Sequence, residues 1–328
     1  MNDKWRKMLN IQELKKVGVE ELTKNNIDDA VIKANILLQF VLKMDKAEVM
    51  INSENMVNKN SIEDYLSYVK EIVNGKPIQY ITNNQSFMGL DFYVDENVLI
   101  PQPDTELLVE ETIKKIRCIL GLEENLYKYY NQSEKTKKNN ICAHEKRVKR
   151  NDEKIKILDL CTGSGAIAVA IENQIEKNNI NNVELYASDI SELALKIAKK
   201  NAFANSKNAN IRFIKSDMFE NINQKFDIIV SNPPYIERGV IPNLSKEVQN
   251  EPHIALDGGV DGLDFYRLIA KEGKNYLQEN GFILLEIGYN QKESVSKIFE
   301  EYSNIRCLKD LSGNDRVIEV QFCDEGLA

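Results

Sequence analysis

The chain has 328 residues, a length that favours two domains over one. Hydrophobic residues make up 42% of it and charged residues 29%, a mixture that excludes a chain disordered throughout and a fibrous repeat. With 43 Lys and Arg against 51 Asp and Glu, the net charge of -8 disfavours a wide basic face for duplex DNA or an anionic membrane.

Cysteine usage and the amino terminus indicate a cytoplasmic protein without a membrane segment. The cysteines are odd in number, widely spread and include no Cys-x-x-Cys pair, which argues against a disulfide framework and a zinc knuckle and indicates a reducing compartment. Its start is charged and lacks the apolar stretch of a signal peptide, and no later segment approaches the roughly 18 apolar residues of a membrane span. The five cysteines are Cys118, Cys142, Cys161, Cys307 and Cys323.

Residues 1–76 have a helical pattern and predict a small helical domain. Apolar residues recur at three- and four-residue steps after Asp28 and Asp29. A later helix is predicted to begin at Ser61 and to end before Gly75 and Pro77. The apolar stripes are interpreted as packing surfaces rather than as a cofactor site.

Residues 77–121 predict a β-hairpin followed by a connecting helix. Between Gln79 and Ile100 the apolar period changes to two around Gly89, which suits a turn. The segment 101–106 then has a proline at its start and acidic residues in the following turn, which predicts the opening of the next helix.

Residues 122–154 form a polar, Lys- and Asn-rich stretch that predicts a flexible insert. Contact with RNA or the ribosome is the alternative reading of its basic residues. Cys142 and His144 lie within it, but two ligands without a second pair do not define a metal site, and no metal is expected.

From residue 155 to residue 328, strands and helices alternate, which predicts a doubly wound, mostly parallel α/β sheet. The last two predicted strands, 303–309 and 315–323, are too close together for a crossover helix, so an antiparallel hairpin at the sheet edge is expected. The preceding strands are predicted at 155–160, 182–188, 210–216, 225–231 and 280–287.

A glycine-containing turn and two acids predict a site for an adenosine-containing cofactor. The first strand of the sheet runs into Cys161-Thr162-Gly163-Ser164-Gly165, where glycines let the backbone approach a ligand. Asp189 ends the second strand, where a carboxylate can accept hydrogen bonds from ribose hydroxyls. After the third strand, Asp217 can hold an adenine amino group and Met218 can cover the ring, although Asp217 could instead cap a helix.

The fourth strand ends in Asn232-Pro233-Pro234-Tyr235, which predicts the substrate site. Prolines have no amide hydrogen and leave carbonyl oxygens facing the ligand crevice. A planar NH₂ group can donate one hydrogen to the Asn232 side-chain oxygen and the other to the Pro233 carbonyl, beside a wall formed by Tyr235. This pattern suits methylation of an amide or exocyclic amine by S-adenosylmethionine, with a rigid Pro-Pro turn as the structural alternative.

Together these motifs resemble class I S-adenosylmethionine-dependent amino-methyltransferases, whose fold has a seven-stranded sheet. Residues 77–81, 87–92 and 99–106 narrow the resemblance to the release factor glutamine methyltransferase family. The resemblance implies methyl transfer to the glutamine of the Gly-Gly-Gln motif of peptide chain release factors, with the helical domain helping to hold the protein substrate. Further matching segments are 251–252, 255–259, 261–263, 286–288 with Gln291, and 310–316.

On this resemblance, Asn232 and Pro233 bind the glutamine amide, and Pro234 and Tyr235 belong to the same substrate site. Two positions depart from the family pattern: Cys161 replaces a frequent glycine, and Gln102 replaces an arginine. The expected cofactor-binding residues are Asp159, Cys161, Thr162, Gly163, Ser164, Gly165, Asp189, Asp217, Met218 and Asn232.

Other activities remain open on the motifs alone. A related enzyme methylates glutamine on a ribosomal protein, and other amino-methyltransferases with the same Asn-Pro-Pro-Tyr motif act on nucleic acid. The negative charge and the lack of a recognisable target-recognition domain argue against stable nucleic-acid binding. A nicotinamide oxidoreductase would require a third loop glycine and a proton relay, and only His144 and His253 are histidines.

Overall fold

The computed structural model describes residues 9–122, 154–206 and 210–323, and nearly all of the predicted insert, with Cys142 and His144, lies outside them. The chain divides into two compact units, one comprising Met1–Asn84 with Asn243–Glu251 and the other Gln85–Pro242 with Pro252–Ala328. Within the described ranges, no helix combines the length and the apolar character that crossing a membrane requires.

Both units are built from regular elements that follow one another along the chain. The helices are α1 (Ile11–Lys24), α2 (Ala30–Leu42), α3 (Lys46–Ile51), α4 (Lys59–Val73), α5 (Ile78–Thr82), α6 (Glu106–Ile119), α7 (Ala166–Lys177), α8 (Glu192–Asn205), α9 (Lys246–Gln249), α10 (His253–Leu256), α11 (Asp264–Tyr276) and α12 (Lys292–Ile298). The strands are β1 (Gln85–Phe87), β2 (Leu90–Phe92), β3 (Ile155–Leu160), β4 (Val183–Asp189), β5 (Arg212–Lys215), β6 (Phe226–Ser231), β7 (Leu277–Glu286), β8 (Ser303–Lys309) and β9 (Asp315–Gln321).

Side-chain caps determine the starts of α1, α3 and α4 in the first unit. The predicted start of α4 at Ser61 is wrong, because the Asn58 side chain accepts a hydrogen bond from the Ser61 backbone N–H at 2.9 Å and α4 begins at Lys59. Ser61 therefore lies in the first turn. The predicted end of α4 is confirmed, since Gly75 has a φ of +100° just beyond it.

The core of the first unit is formed by α1, α2 and α4, with Leu14, Leu37 and Tyr65 fully buried. The chain returns to this unit at Asn243–Glu251, far from it in sequence. There the Asn250 side chain donates a hydrogen bond to the Gly75 carbonyl at 3.1 Å. The helical unit is therefore larger than the predicted segment 1–76.

The second unit begins with the predicted hairpin, which is confirmed as β1 and β2 around Gly89. Its start is later than predicted, because residues 78–82 form the helix α5. Pro77 has the φ of -57° that suits a helix start, and Ile78 and Ile81 recur at a helical step on its buried side. The predicted helix opening after the hairpin is confirmed as a 3₁₀ turn at Pro103–Thr105 leading into α6.

A seven-stranded sheet with the order β5-β4-β3-β6-β7-β9-β8 forms the centre of the second unit, which confirms the predicted fold class. The first five strands in this order are parallel, and β9 is antiparallel to both β7 and β8. The expected hairpin at the edge is also confirmed. Every residue of β6 is buried, as expected for a strand covered on both faces.

Strand order determines where a ligand can bind. From β3 the chain runs outward through β4 to β5 and then returns to β6 on the other side of β3. Ligands in open α/β sheets bind at the carboxyl ends of the strands where the order reverses. The segments that follow β3 and β6, which carry the predicted motifs, therefore start side by side.

Candidate functional site

A cavity of about 310 Å³ lies at the carboxyl ends of these strands. A larger cleft of about 630 Å³, lined by residues of α11 and α12, contains none of the predicted site residues. Seven of the predicted residues line the smaller cavity: Cys161, Gly163, Asp189, Asp217, Met218, Asn232 and Pro234. The predicted residues that do not line it are Asp159, Thr162, Ser164, Gly165, Pro233 and Tyr235.

Asp159 and Thr162 do not line the cavity but stabilise the glycine turn through hydrogen bonds. One Asp159 carboxylate oxygen accepts hydrogen bonds from the Thr162 hydroxyl at 2.5 Å and from the Ala168 backbone N–H at 3.1 Å. The Thr162 backbone N–H donates to the Ser188 carbonyl at 2.9 Å. These contacts connect the turn to α7 and to β4, so both residues can affect cofactor binding through the position of the turn.

Because Asp159 is buried, the stability of the folded protein should depend on pH. Burial raises its pKa to about 7, against the lowering effect of the Thr162 and Ala168 hydrogen bonds. Between the unfolded-state pKa of about 4 and this value, the folded protein binds the extra proton, so stability falls as the pH rises. We expect Asp159→Asn to gain stability relative to the wild type between pH 5 and pH 8.

Urea unfolding at both pH values measures this difference. Other groups titrate in both proteins and cancel in the comparison. An Asn variant whose free energy of unfolding differs from that of the wild type by the same amount at both pH values would contradict the role of burial.

Two glycines of the turn have positive φ but different surroundings. At Gly165, with a φ of +81°, an added Cβ would lie 3.0 Å from the Ala198 Cβ and 3.1 Å from the Ala198 Cα on α8. At Gly163, with a φ of +54°, an added Cβ would meet nothing within 4 Å. Gly165 is therefore required for packing, whereas Gly163 leaves open space on the cavity wall.

These surroundings predict different defects for two matched substitutions. Gly163→Ala should cost about 1–2 kcal/mol of backbone strain and weaken cofactor binding, because the methyl group extends from the cavity wall. Gly165→Ala should lose more stability, because the helix backbone cannot easily move away. Urea unfolding and calorimetry with S-adenosylhomocysteine separate the two effects, and equal stability losses would contradict this assignment.

Asp189 lies on the cavity wall, at the end of β4. Its two carboxylate oxygens accept hydrogen bonds from the Gly163 and Ser191 backbone N–H groups, each at 2.8 Å. Burial raises its pKa, although these hydrogen bonds oppose the change. Each carboxylate oxygen has a further lone pair, which ribose hydroxyls can use.

Sequence reasoning did not identify Ser188 as a cavity residue. It is 1% exposed and lines the cavity, and its hydroxyl has no hydrogen-bond partner within the described part of the chain. A buried hydroxyl without a partner is costly, so a bound ligand can satisfy it. The only feature of the sequence that could have pointed to Ser188 is its position next to Asp189 at the end of β4.

Two sulfur-containing side chains also line the cavity. Cys161 Sγ lies 3.7 Å from Met218 Sδ, and both residues line the cavity. Cys161 has a φ of +62°, a conformation that favours glycine. The alternative reading of Asp217 as a helix cap is wrong, because a turn rather than a helix follows it.

Asn232 follows β6 and is connected to a buried carboxylate. Its side-chain NH₂ donates to the Thr105 hydroxyl at 3.2 Å, and this hydroxyl donates to Glu286 Oε2 at 2.6 Å. The Tyr235 hydroxyl donates to the other Glu286 oxygen at 3.4 Å. Thr105 and Glu286 were noted only as parts of family-like segments, and no role was predicted for either.

Burial dominates the electrostatics of this network. It raises the pKa of Glu286 to about 7, while the Thr105 hydrogen bond and the Arg316 charge oppose the shift. The pKa of Tyr235 is also raised, first by burial and then by the Glu286 charge. The Arg316 guanidinium lies 3.0 Å from Asp104 and 3.3 Å from Asp310.

A glycine-rich loop supports the Asn-Pro-Pro-Tyr backbone. An added Cβ at Gly258 would lie 2.9 Å from the Pro234 carbonyl oxygen, and one at Gly262 would lie 2.4 Å from the Tyr235 carbonyl oxygen. Gln291 donates a hydrogen bond to this Tyr235 oxygen at 3.0 Å. Close backbone packing therefore holds the motif in place, and side chains at these two glycines would displace it.

Comparison with known proteins gives the family. Residues 13–82 match a family model described as the PrmC N-terminal domain, and residues 146–259 match the methyltransferase small domain. A release factor glutamine methyltransferase of Clostridium acetobutylicum is 38% identical over 291 residues, which cover 87% of this chain and 89% of the relative. The chain belongs to the release factor glutamine methyltransferase family.

A second curated relative has a similar identity and coverage, and a solved structure is less similar. The release factor glutamine methyltransferase of Clostridium botulinum is 36% identical over 310 residues, covering 93% of this chain and 96% of the relative. A solved release-factor-specific protein-(glutamine-N5) methyltransferase from Alicyclobacillus acidocaldarius is 26% identical, with a TM-score of 0.36, covering 71% of this chain and 99% of that one. The chain is an S-adenosylmethionine-dependent methyltransferase, as the sequence predicted.

Proposed function

We propose that this enzyme methylates the side-chain amide nitrogen of the glutamine in the Gly-Gly-Gln motif of a peptide chain release factor. The main support for this proposal is the orientation of the Asn232 side-chain amide. Its NH₂ group is used by Thr105, so its carbonyl oxygen is the end left to accept a hydrogen bond at the cavity. The names of the relatives support the release factor as the substrate.

The substrate nitrogen has to be positioned, because an amide lone pair is delocalised and poorly nucleophilic. In our proposal, Asn232 Oδ1 and the Pro233 carbonyl accept its two hydrogens, and Tyr235 borders the substrate. This holds the nitrogen in line with the donor, and such positioning supplies much of the rate. One proton is finally lost to water, since the carbonyl oxygens that accept it are weak bases.

The cavity residues fit the adenosyl part of the cofactor. We assign the ribose hydroxyls to Asp189 and the adenine ring to Met218, with Asp217 at its amino group. The unpartnered Ser188 hydroxyl and the open wall at Gly163 support a polar ligand that lies close to the backbone. When bound, S-adenosylmethionine supplies a methyl group on a sulfonium, which is already electrophilic.

We assign the binding of the protein substrate to the helical unit. Large apolar side chains are exposed there, which is typical of an interaction surface. They are Val31, Ile32, Ile36, Phe40, Met50, Ile51 and Met56.

Labelled S-adenosylmethionine tests the substrate assignment. The enzyme is incubated separately with a release factor, with the same factor carrying Gly-Gly-Ala in place of Gly-Gly-Gln, with a ribosomal protein and with DNA. We expect label on the unaltered release factor only, at the glutamine nitrogen by mass spectrometry. Label on the ribosomal protein or DNA without label on the release factor would contradict the proposal.

A further inference from the structure

We propose that Thr105 and Glu286 are positioning residues: Glu286, acting through the Thr105 hydroxyl, orients the Asn232 amide with its oxygen toward the acceptor nitrogen. The inference deepens the proposed function and rests on it, because it concerns the group that binds the acceptor amide. The three residues come from the turn before α6, the loop after β6 and the end of β7.

The directions of the two hydrogen bonds at Thr105 determine how the Asn232 amide is oriented. A hydroxyl has a single hydrogen, and Thr105 donates it to Glu286 Oε2 at 2.6 Å. The Thr105 oxygen can then only accept, and it does so from Asn232 Nδ2 at 3.2 Å. If the Asn232 amide were rotated by 180°, its oxygen would face the Thr105 oxygen, and neither could donate a hydrogen bond. Its NH₂ group would then face the NH₂ group of the substrate, and neither could accept one.

Glu286 is well placed to impose this direction. It is 1% exposed, and a carboxylate can only accept hydrogen bonds. Its second oxygen accepts from the Tyr235 hydroxyl at 3.4 Å. One buried group therefore orients both the Asn232 side chain, through Thr105, and the Tyr235 side chain that borders the substrate.

Protonation of Glu286 would reverse the direction of the hydrogen bonds that connect it to Thr105 and Asn232. A protonated carboxyl can donate to Thr105, whose hydrogen is then released toward Asn232 and favours the rotated amide. The groups that face Glu286 are the hydroxyls of Thr105, Tyr235 and Tyr266, the last through the Glu286 main-chain oxygen at 2.9 Å, together with the charges of Arg316 and Asp104. Methyl transfer should therefore fall as the pH drops through about 7, where burial places the pKa of Glu286.

Three threonine variants test the inference. Thr105→Val keeps the shape of the side chain but has no hydroxyl, whereas Thr105→Ser restores one. Thr112→Val is the matched control, because Thr112 lies on α6, is fully buried, and donates its hydroxyl to the Leu108 carbonyl at 2.7 Å, away from the cavity.

We expect Thr105→Val to lower kcat by roughly 10–100-fold, the usual effect of losing a group that orients an active residue. Affinity for S-adenosylhomocysteine should match that of Thr112→Val, and the fall in activity below pH 7 should be smaller than in that control, with any remaining fall due to the Tyr235 contact of Glu286 and to Asp159. Thr105→Ser should recover most of kcat. A Thr105→Val enzyme with the kcat and pH profile of the Thr112→Val control would overturn the inference.

A measurement without substrate separates this inference from the proposed function. In the wild type, we expect the side-chain NH₂ signal of Asn232, identified by its loss in Asn232→Ala, to shift in the nuclear magnetic resonance spectrum as Glu286 titrates. A signal independent of pH from 5 to 9 would overturn the inference, even if Thr105→Val does not fold. Failure of the wild type to methylate a release factor would instead overturn the proposed function alone.

Discussion

Asn232→Ala is expected to lower kcat by about 10²-fold or more, the usual cost of removing a hydrogen-bonding group that acts on the reacting centre. The variant should fold normally, and its affinity for S-adenosylhomocysteine should fall far less than kcat, because Asn232 is one of ten expected cofactor-binding residues. Both expectations follow from its position after β6, where its side chain contacts Thr105 while most of the predicted cofactor residues lie on other loops. Single-turnover transfer of labelled methyl to the release factor measures the effect.

The control for this substitution is Asn173→Ala. Asn173 is also a partly buried asparagine, but it lies on α7 and donates to the Asn205 carbonyl at 3.4 Å, outside the set of cavity-lining residues. Its loss should leave kcat near that of the wild type. If Asn232→Ala retained near-normal turnover, Asn232 would not hold the acceptor amide.

Asp189→Ala is expected to weaken cofactor binding by about 10²-fold. Hydrogen bonds to a charged group contribute about 1.5–3 kcal/mol each, and 1.4 kcal/mol corresponds to a tenfold change in affinity. The substitution also removes the acceptor for the Gly163 and Ser191 N–H groups, so the glycine turn should loosen. Calorimetry with S-adenosylhomocysteine measures the affinity.

A double comparison distinguishes ribose binding from loosening of the turn. An S-adenosylhomocysteine analogue without the 2′-hydroxyl should bind the wild type more weakly than the natural ligand does. It should bind Asp189→Ala with little further loss, because the partner of that hydroxyl is already absent. Unchanged affinity in Asp189→Ala, or an equal loss for the analogue in both proteins, would contradict the ribose assignment.

Local sequence was enough to predict the main elements of the second unit. Its parallel strands are short apolar runs, and the turns after β3 and β6 carry glycine or proline, so their presence and order could be inferred. The edge hairpin followed from the short connection between β8 and β9. Helix boundaries were less predictable, because Asn58 and Ser61 are both good caps and only the folded chain shows which one is used.

The sequence by itself determined the individual strands, the glycine turn after β3 and the Asn-Pro-Pro-Tyr turn after β6, since each depends on residues adjacent in the chain. Only the tertiary structure decided which distant residues meet at the site. Thr105 and Glu286 are 181 positions apart, yet they share a hydrogen bond because α6 packs against β7 in the folded chain. Backbone pattern encodes local conformation, whereas a buried polar contact between remote segments exists only once the chain has folded around it.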